Sequence, residues 1–383
     1  MTQHKSRAHI ILGLALLAGS TYYDAALAQT GEMMTSAPAG TKIRYQYPGT
    51  TSIPAASADE PTRDEFSLER ATGYIETGNT AWWKARKCIA CHTTGVYLST
   101  RPALTPQLGK PSSESRNRYV DFLRKLQGVE EPRHFEGTQI AVLAAGLAEW
   151  DAHVSGKLSP ETDEALRLTF KWQAEDGSCT NHDCWPPFES SPFHGTTVAA
   201  MAAATAPGWM KNLEDKELLR KVEKMKRYLR STPPPHAYGR MLLLWAETRL
   251  PGLMDEKQKQ AAIAEIWKHQ REDGGWSIRT FAAPEAWGGG NRAEKLRGEP
   301  EFKNPPSDGH QTGFAILVLR DAGVPADDER IQRGVEWLLK NQRASGRWWT
   351  RSLNTDRYHL ITYSGTCYPL LALAKCNALP AQE

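Results

Sequence analysis

The feature that most constrains the fold is an alternation of two kinds of predicted helix. In the first kind, large apolar residues recur three and four positions apart and charged residues fill the other positions. This pattern is typical of a helix with one solvent-exposed face. Residues 114–127, 218–229 and 327–342 are of this kind. The second kind is apolar or small on nearly every side, which predicts burial all round. Residues 137–150, 194–206, 236–245 and 311–319 represent it.

The two kinds alternate along the chain in six pairs, each an outer helix followed by an inner one. Outer helices are expected to begin near Ser67, Glu114, Ser159, Glu214, Glu256 and Asp327. Inner helices are expected near Thr93, Gly137, Gly195, Ala237, Gln311 and Ser364. Repeating hairpins of this size stack into an open solenoid or close into a ring. Six pairs favour an all-α, closed (α/α)6 toroid over residues 63–380, with the inner helices around a central cavity.

Three turns between outer and inner helices carry a repeated motif. Residues 270–276 and 342–348 fit the pattern Q-x3-G-x-W, and residues 173–179 fit it except that Cys179 replaces the tryptophan. This pattern resembles the QW motif of the terpenoid cyclase and protein prenyltransferase superfamily, whose domains are α/α toroids. The resemblance covers roughly residues 67–376, and it implies the same toroidal fold.

The activities of that superfamily do not transfer as readily as its fold. Squalene–hopene-type cyclases protonate an alkene with a D-x-D-D acid, and this sequence contains no D-x-D-D. The nearest acidic cluster, residues 327–329, lies at the start of an outer helix, where carboxylates commonly cap the backbone. The zinc ligands of the prenyltransferases have no residue-by-residue match. A terpenoid cyclase-like enzyme is therefore the third of three functional interpretations.

A second motif lies at the entrance to the first inner helix. Cys88, Cys91 and His92 form a C-x-x-C-H sequence, which is the attachment signature of a c-type haem. In this interpretation the two cysteines hold one covalent haem and His92 is its proximal iron ligand. Two alternatives remain: a redox pair of Cys88 with Cys91, or a zinc site completed by two further histidines.

The N-terminus indicates the compartment in which such a motif would work. Residues 1–28 have a basic segment, a short apolar run and a small-x-small site at residues 26–28, which predicts a cleaved signal peptide and a periplasmic or secreted protein. An uncleaved anchor is the alternative. Residues 29–62 are polar and without periodicity, which predicts a flexible linker. No later apolar segment is long enough to span a membrane. A formal charge of +3 without a basic stripe argues against nucleic acid.

A histidine stands at or just before the start of every predicted inner helix. These residues are His92, His134, His194, His236, His310 and His359. In a toroid all inner helices run the same way, so these histidines should converge on one mouth of the cavity. We predict catalytic or distal roles for His194, His236 and His310, and metal-ligand roles for His92, His134 and His359. The alternative is that they are structural helix caps.

Two long stretches interrupt the repeat, and each precedes an inner helix. Residues 178–193 contain Cys179 and Cys184, which are expected to form a disulfide in an oxidising compartment. A Cys/His metal knuckle is the alternative. Residues 277–309 form an insertion of a length often found in lids or binding surfaces. Both stretches should therefore lie over the histidine rim.

The sequence predicts an exported c-type haem protein with a terpenoid-cyclase-like toroid. Its expected work is electron transfer with a redox partner protein, or haem-dependent oxidation of a small molecule in the central cavity. The main alternative is a non-haem toroid, a binding protein or lyase, in which the rim histidines hold a metal or an anionic ligand.

Overall fold

The computed structural model of the chain describes residues 53, 56–181, 186–188, 190–289, 291–354 and 360–380. The predicted signal peptide and most of the predicted linker lie outside these residues. The outer helices are α1 (Leu68–Arg86), α4 (Ser113–Gln127), α6 (Pro160–Lys171), α8 (Lys216–Ser231), α10 (Glu256–Lys268) and α13 (Glu329–Lys340). The inner helices are α2 (Thr94–Thr100), α5 (His134–Trp150), α7 (Pro192–Thr205), α9 (Ala237–Arg249), α12 (Gly309–Asp321) and α14 (Leu360–Lys375). The short helices are α3 (Thr105–Leu108) and α11 (Arg292–Arg297).

The inner helices form a closed ring. Helix α2 packs on α5, α5 on α7, α7 on α9, α9 on α12, α12 on α14, and α14 returns to α2. Outer helices α1, α4, α6 and α13 pack on the inner helix of their own hairpin, whereas α8 and α10 pack on the preceding inner helices, α7 and α9. The predicted all-α (α/α)6 toroid is therefore confirmed, and the helix starts agree with prediction to within about four residues, the usual uncertainty of a boundary.

The two kinds of helix bury different surfaces, as their sequences require. Outer helix α8 buries Leu218, Val222, Met225 and Leu229, which lie on one stripe of the helix, and its remaining residues are mostly charged. Inner helix α12 buries every residue from 309 to 319. A helix without an exposed stripe can only be accommodated in the centre of the molecule, which is why such helices line the ring.

The three Q-x3-G-x-W turns connect neighbouring hairpins by hydrogen bonds. In each turn the glutamine Nε2 donates to the carbonyl of its own motif glycine and to a backbone carbonyl of the next outer helix. These second bonds run from Gln173 to Lys221 (3.0 Å), from Gln270 to Arg330 (2.8 Å) and from Gln342 to Ser67 (2.9 Å). The indoles of Trp276 and Trp348 are fully buried and donate back to the outer helix that precedes them.

The end of the predicted linker is attached to the toroid. The Glu60 carboxylate accepts hydrogen bonds from the Ser345 backbone N–H (2.6 Å) and from Arg347 Nε (3.2 Å). Thr62 pairs with Arg343 in an isolated antiparallel bridge. The part of residues 56–62 nearest the toroid is thus tied to its last inter-helix turn. Of the helices that the structure describes, none combines the length and apolarity needed to cross a membrane.

Candidate functional site

The inner helices run parallel, so the cavity between them has two distinct ends. Residues near the helix starts meet at one end, where the Tyr238 hydroxyl of α9 lies 3.1 Å from His310 Nε2 of α12. Residues at the helix ends meet at the other, where Arg249 of α9 bonds Glu149 of α5 and Thr205 of α7. We call the first end the mouth and the second end the floor.

A narrow cavity of about 60 Å³ lies between these ends. Cys91, Phe188 and His194 line it on the mouth side, and Glu149 and Arg249 line it on the floor side. The rest of its wall is apolar, from Val96, Val142, Val198, Met201, Leu242 and Trp245 among others. This volume admits a few water-sized molecules or one small ligand, and it is well below the size of a typical drug-sized pocket.

The C-x-x-C-H segment is a tight connection at the mouth. Helix α1 ends at Lys87, which has a left-handed backbone (φ 53°) that turns the chain. Hydrogen bonds from the Ala90 N–H to Thr94 Oγ1 (2.7 Å) and from the Gly95 N–H to the Ala90 carbonyl (2.8 Å) then fold residues 88–92 against the start of α2. As a result Cys91 is buried beside the cavity, whereas Cys88 is partly exposed.

His92 is buried directly after Cys91. Its Nδ1 lies 2.9 Å from Thr93 Oγ1, and its ring meets the Trp82 indole edge-on at 4.8 Å between centroids. Burial lowers the pKa of His92 to about 3, so the imidazole is neutral near pH 7. A neutral imidazole whose other nitrogen has a hydrogen-bond partner is the form in which histidine binds metals.

His194 and His310 lie on either side of Phe188. The Phe188 ring meets that of His194 at 6.2 Å and that of His310 at 5.7 Å between centroids. Both histidines are buried, and burial lowers the pKa of each to about 3. The two rings differ in their hydrogen bonding, and this difference separates their possible roles.

His310 is held at both ring nitrogens. Nε2 lies 3.1 Å from the Tyr238 hydroxyl, and Nδ1 lies 2.7 Å from Ser364 Oγ. His194 Nδ1 is buried and has no hydrogen-bond partner within the described part of the chain. A buried polar atom that points into a cavity without a partner is costly, and it marks a place where a ligand or water can bind. His194 is therefore better placed than His310 to act on a bound molecule.

His236 has the role of a helix cap. It is the N-cap of α9, and its Nδ1 accepts a hydrogen bond from the Gly239 N–H (2.9 Å). Its ring packs on Trp287 at 4.8 Å between centroids. Of the three histidines predicted to be catalytic, His236 is thus the one whose structural alternative has direct support.

Both interrupting stretches contribute a buried aromatic ring to the mouth, and no pattern in the sequence indicates either ring. Phe188 comes from residues 178–193, and Trp287 comes from the insertion at residues 277–309. Tyr238 and Ser364, which bond to His310, were also not predicted. Nothing in their spacing distinguishes them from ordinary core positions of an inner helix.

The floor of the cavity is closed by a buried ion pair. Arg249 donates to Glu149 and to Thr205 Oγ1 (2.9 Å), and its guanidinium lies over the Trp245 ring at 4.9 Å. Burial opposes ionisation of Glu149, but the neighbouring Arg249 outweighs it and keeps the pKa of Glu149 below its usual value. The cavity consequently has an apolar wall and one charged end.

Several predicted site residues cannot be placed. His359 and Cys184 lie outside the described residues, as does the side chain of His134. The predicted Cys179–Cys184 disulfide therefore stays a prediction. Within residues 53–380, as far as they are described, no three His, Cys, Asp or Glu side chains are grouped closely enough to hold a metal ion.

The chain shows similarity to known proteins in both sequence and fold. Residues 235–378, which span helices α9 to α14, match the squalene-hopene cyclase C-terminal domain. A glycosidase solved in complex with glucose has a TM-score of 0.51 at 12% identity, covering 82% of this chain and 97% of that chain. The type II terpene cyclase MstE from Scytonema has a TM-score of 0.42 at 13% identity, covering 81% and 100%. No curated protein matches the chain in sequence.

The match to the squalene-hopene cyclase C-terminal domain agrees with the resemblance carried by the Q-x3-G-x-W turns. Two of the three turns, at residues 270–276 and 342–348, fall inside the matched region. The structural likeness at 12% identity bears on the fold alone. The chain is an α/α toroid in which inner helix α9 and the last two hairpins are similar to the squalene-hopene cyclase C-terminal domain.

Proposed function

We propose that this chain is an exported haem c protein that does redox work at the mouth of its toroid. The observation that supports the proposal most is the position of the C-x-x-C-H segment. It opens the first inner helix, and Cys91 lines the same cavity as His194. Cys88 and Cys91 would hold the haem covalently, and His92 would bind its iron. When bound, the group would supply one-electron or oxidative chemistry.

The donor set fits a c-type haem. The two thiols and the imidazole lie within one turn, and Cys88 is partly exposed. His92 is neutral because burial lowers its pKa to about 3. Its Nδ1 contact with Thr93 would orient the ring.

The cavity behind the segment sets a limit on this proposal. At about 60 Å³ it has no room for a porphyrin, although it can hold a small molecule. The prosthetic group would therefore lie at the mouth, outside this cavity, and the cavity would take a small reactant. Phe188 lines the mouth side of the cavity.

The residues of this chain would then orient and protect a small reactant. His194 lines the cavity, and its buried Nδ1 has no hydrogen-bond partner among the described residues. The ring is neutral near pH 7, so it can exchange one hydrogen bond or a proton with a bound molecule. The apolar wall excludes bulk water, which strengthens each polar contact inside. Met201 lines the same cavity and is a second candidate for contact with the reactant.

The test is the absorption spectrum of the exported protein, produced in a host that attaches c-type haem. We expect a reduced spectrum with the sharp α-band of a c-type haem in wild type and its loss in Cys88→Ala/Cys91→Ala. Cys376→Ala, a buried cysteine outside the motif, is the matched control and should keep the band. A colourless wild-type protein would refute the proposal. Carbon monoxide binding to the reduced protein would then distinguish a catalyst with an open iron position from an electron carrier.

A further inference from the structure

A second cavity, larger and more polar than the central one, lies between the last two hairpins. Its volume is about 280 Å³, and it is formed by the turn after α10, the insertion, and the turn after α13. Asp273, Arg279, Arg343, Trp349 and Arg351 are among its lining residues. We call it the arginine pocket. Because these segments connect outer to inner helices, the pocket lies on the mouth side of the toroid.

Part of the charge in the arginine pocket is already neutralised. Arg279 forms a two-pronged pair with Glu299, through Nε (2.5 Å) and Nη2 (2.7 Å), and donates a further bond to the Arg351 carbonyl (2.9 Å). Asp273 accepts from Ser307 Oγ (2.7 Å) and from Trp337 Nε1 (3.0 Å). These groups form a rigid wall in which the Arg279 guanidinium is already paired with a carboxylate.

Two guanidinium groups of the pocket keep unused donors. Arg343 donates through Nη1 to the Glu60 carbonyl (2.6 Å), while its Nε is buried and has no partner in the described part of the chain. The nearby Glu60 carboxylate is engaged with Ser345 and Arg347. Arg351 makes a loose ion pair with Glu301, with 4.0 Å between Nη2 and Oε2. Five N–H donors in a planar fork match a carboxylate, so these two arginines favour a carboxylated ligand.

The other features of the pocket select for hydroxyl groups and for size. The Glu301 side chain is 52% exposed and its contact with Arg351 is loose, so its oxygens can accept hydrogen bonds from hydroxyl groups. The half-buried ring of Trp349 offers an apolar face of the kind that packs against a sugar ring. We propose that the arginine pocket binds a hydroxylated carboxylate of monosaccharide size, a uronic acid being the simplest example. The carboxylate pairs with Arg343 and Arg351, and the ring hydroxyls donate to Glu301.

Calorimetric titration of the full exported chain with D-glucuronate, D-glucose and inorganic phosphate tests this assignment. We expect glucuronate to bind at least 10-fold more tightly than glucose or phosphate. Arg351→Ala should weaken glucuronate binding at least 10-fold, because the ligand carboxylate loses one of its two guanidinium partners. The variant keeps the backbone carbonyl to which Arg279 donates, so the wall of the pocket is retained. Arg351→Lys, which keeps the charge but loses the fork, should fall between the two.

Arg330→Ala is the matched control. Arg330 belongs to outer helix α13, packs over the Trp267 ring of α10 and does not line the pocket. It should bind glucuronate as wild type does. Absence of glucuronate binding to wild type, equal binding of glucose, equal binding of phosphate, or full binding by Arg351→Ala would each overturn the assignment. Arg351 is 28% exposed, so the variant is expected to fold, and an unchanged thermal midpoint verifies this. The outcome is independent of whether haem is attached at Cys88 and Cys91.

Discussion

Gln342 and Ser67 are 275 positions apart in the sequence and are joined by two hydrogen bonds. Gln342 Nε2 donates to the Ser67 carbonyl (2.9 Å), and the Ser67 N–H donates to Gln342 Oε1 (2.7 Å). Ser67 is the N-cap of the first outer helix, and Gln342 lies in the last of the three Q-x3-G-x-W turns. This pair therefore attaches the end of the ring to its beginning. The same motif that links neighbouring hairpins elsewhere closes the toroid here.

Replacing Gln342 with alanine should destabilise the fold markedly. The side chain is fully buried, and its loss removes the partner of the Ser67 N–H and one of the two donors to the Ser67 carbonyl. We expect the free energy of unfolding to fall by about 2–4 kcal/mol, because these partly buried groups and the Gly346 carbonyl lose hydrogen bonds. Urea unfolding monitored by circular dichroism measures this change.

Gln270→Ala provides the comparison for that variant. Gln270 makes the corresponding bonds to Gly274 and Arg330, but its side chain is only partly buried, so water can replace part of the lost bonding. The loss in the free energy of unfolding should be clearly smaller for Gln270→Ala than for Gln342→Ala. Equal losses in the two variants would show that the ring-closing contact has no special energetic role.

Gly346→Ala should be far more damaging than the same change at Gly323. Both glycines have φ near +91°, a backbone conformation that alanine adopts only with strain. At Gly346 an added Cβ would also lie 2.4 Å from the backbone carbon of Arg70, whereas at Gly323 it would meet no atom within 4 Å. We expect a loss of about 1 kcal/mol for Gly323→Ala from strain alone. Gly346→Ala should lose several times as much, as judged by thermal melting, and similar losses at both sites would contradict this contact.

The buried histidines should make the protein acid-sensitive. The pKa of His310 falls from an ordinary 6.5 to about 3 in the folded state because the ring is buried. The unfolded chain therefore binds a proton at higher pH than the folded chain, so stability falls as pH decreases through 6.5 toward 3. Between pH 7 and 4.5 this one histidine should remove at most about 3 kcal/mol. Urea unfolding at several pH values measures the slope.

In His310→Gln the free energy of unfolding should change less steeply with pH than in wild type. The difference should correspond to the one proton that His310 takes up on unfolding. His153→Gln is the control, since the His153 side chain is 43% exposed, and it should keep most of the wild-type slope. If His310→Gln does not fold, His194→Gln serves the same purpose because burial also lowers the pKa of His194 to about 3. An unchanged slope in the folded variant would show that the neutral imidazole is not what makes the protein acid-labile.

The fold was predictable because its helices and turns are determined by patterns within short segments of the sequence. The stripe of Leu218, Val222, Met225 and Leu229 defines an outer helix without reference to any other segment, and the apolar run in α12 defines an inner one. The Q-x3-G-x-W turns also depend on residues within one short segment, and their resemblance to the QW motif implies an α/α toroid.

The site was predictable only in part, because its details depend on contacts between distant segments. A histidine at each inner-helix start could be read directly, but the pairing of His310 with Tyr238 and Ser364 joins three different helices. The placement of Phe188 at the mouth depends on how an irregular stretch folds back. The arginine pocket likewise requires the insertion to lie beside the last motif, which no local pattern encodes.

The measurement that tests the central claim most directly is the intact mass of the exported protein, followed by the mass of the proteolytic peptide that contains Cys88 and Cys91. Our account predicts an added mass of one haem on wild type, located on that peptide and resistant to acidified organic solvent because it is held by thioether bonds. The added mass should be absent from Cys88→Ala/Cys91→Ala and present in Cys376→Ala. A wild-type peptide that carries unmodified thiols or a Cys88–Cys91 disulfide, after export from a host that attaches haem to other proteins, would contradict the account.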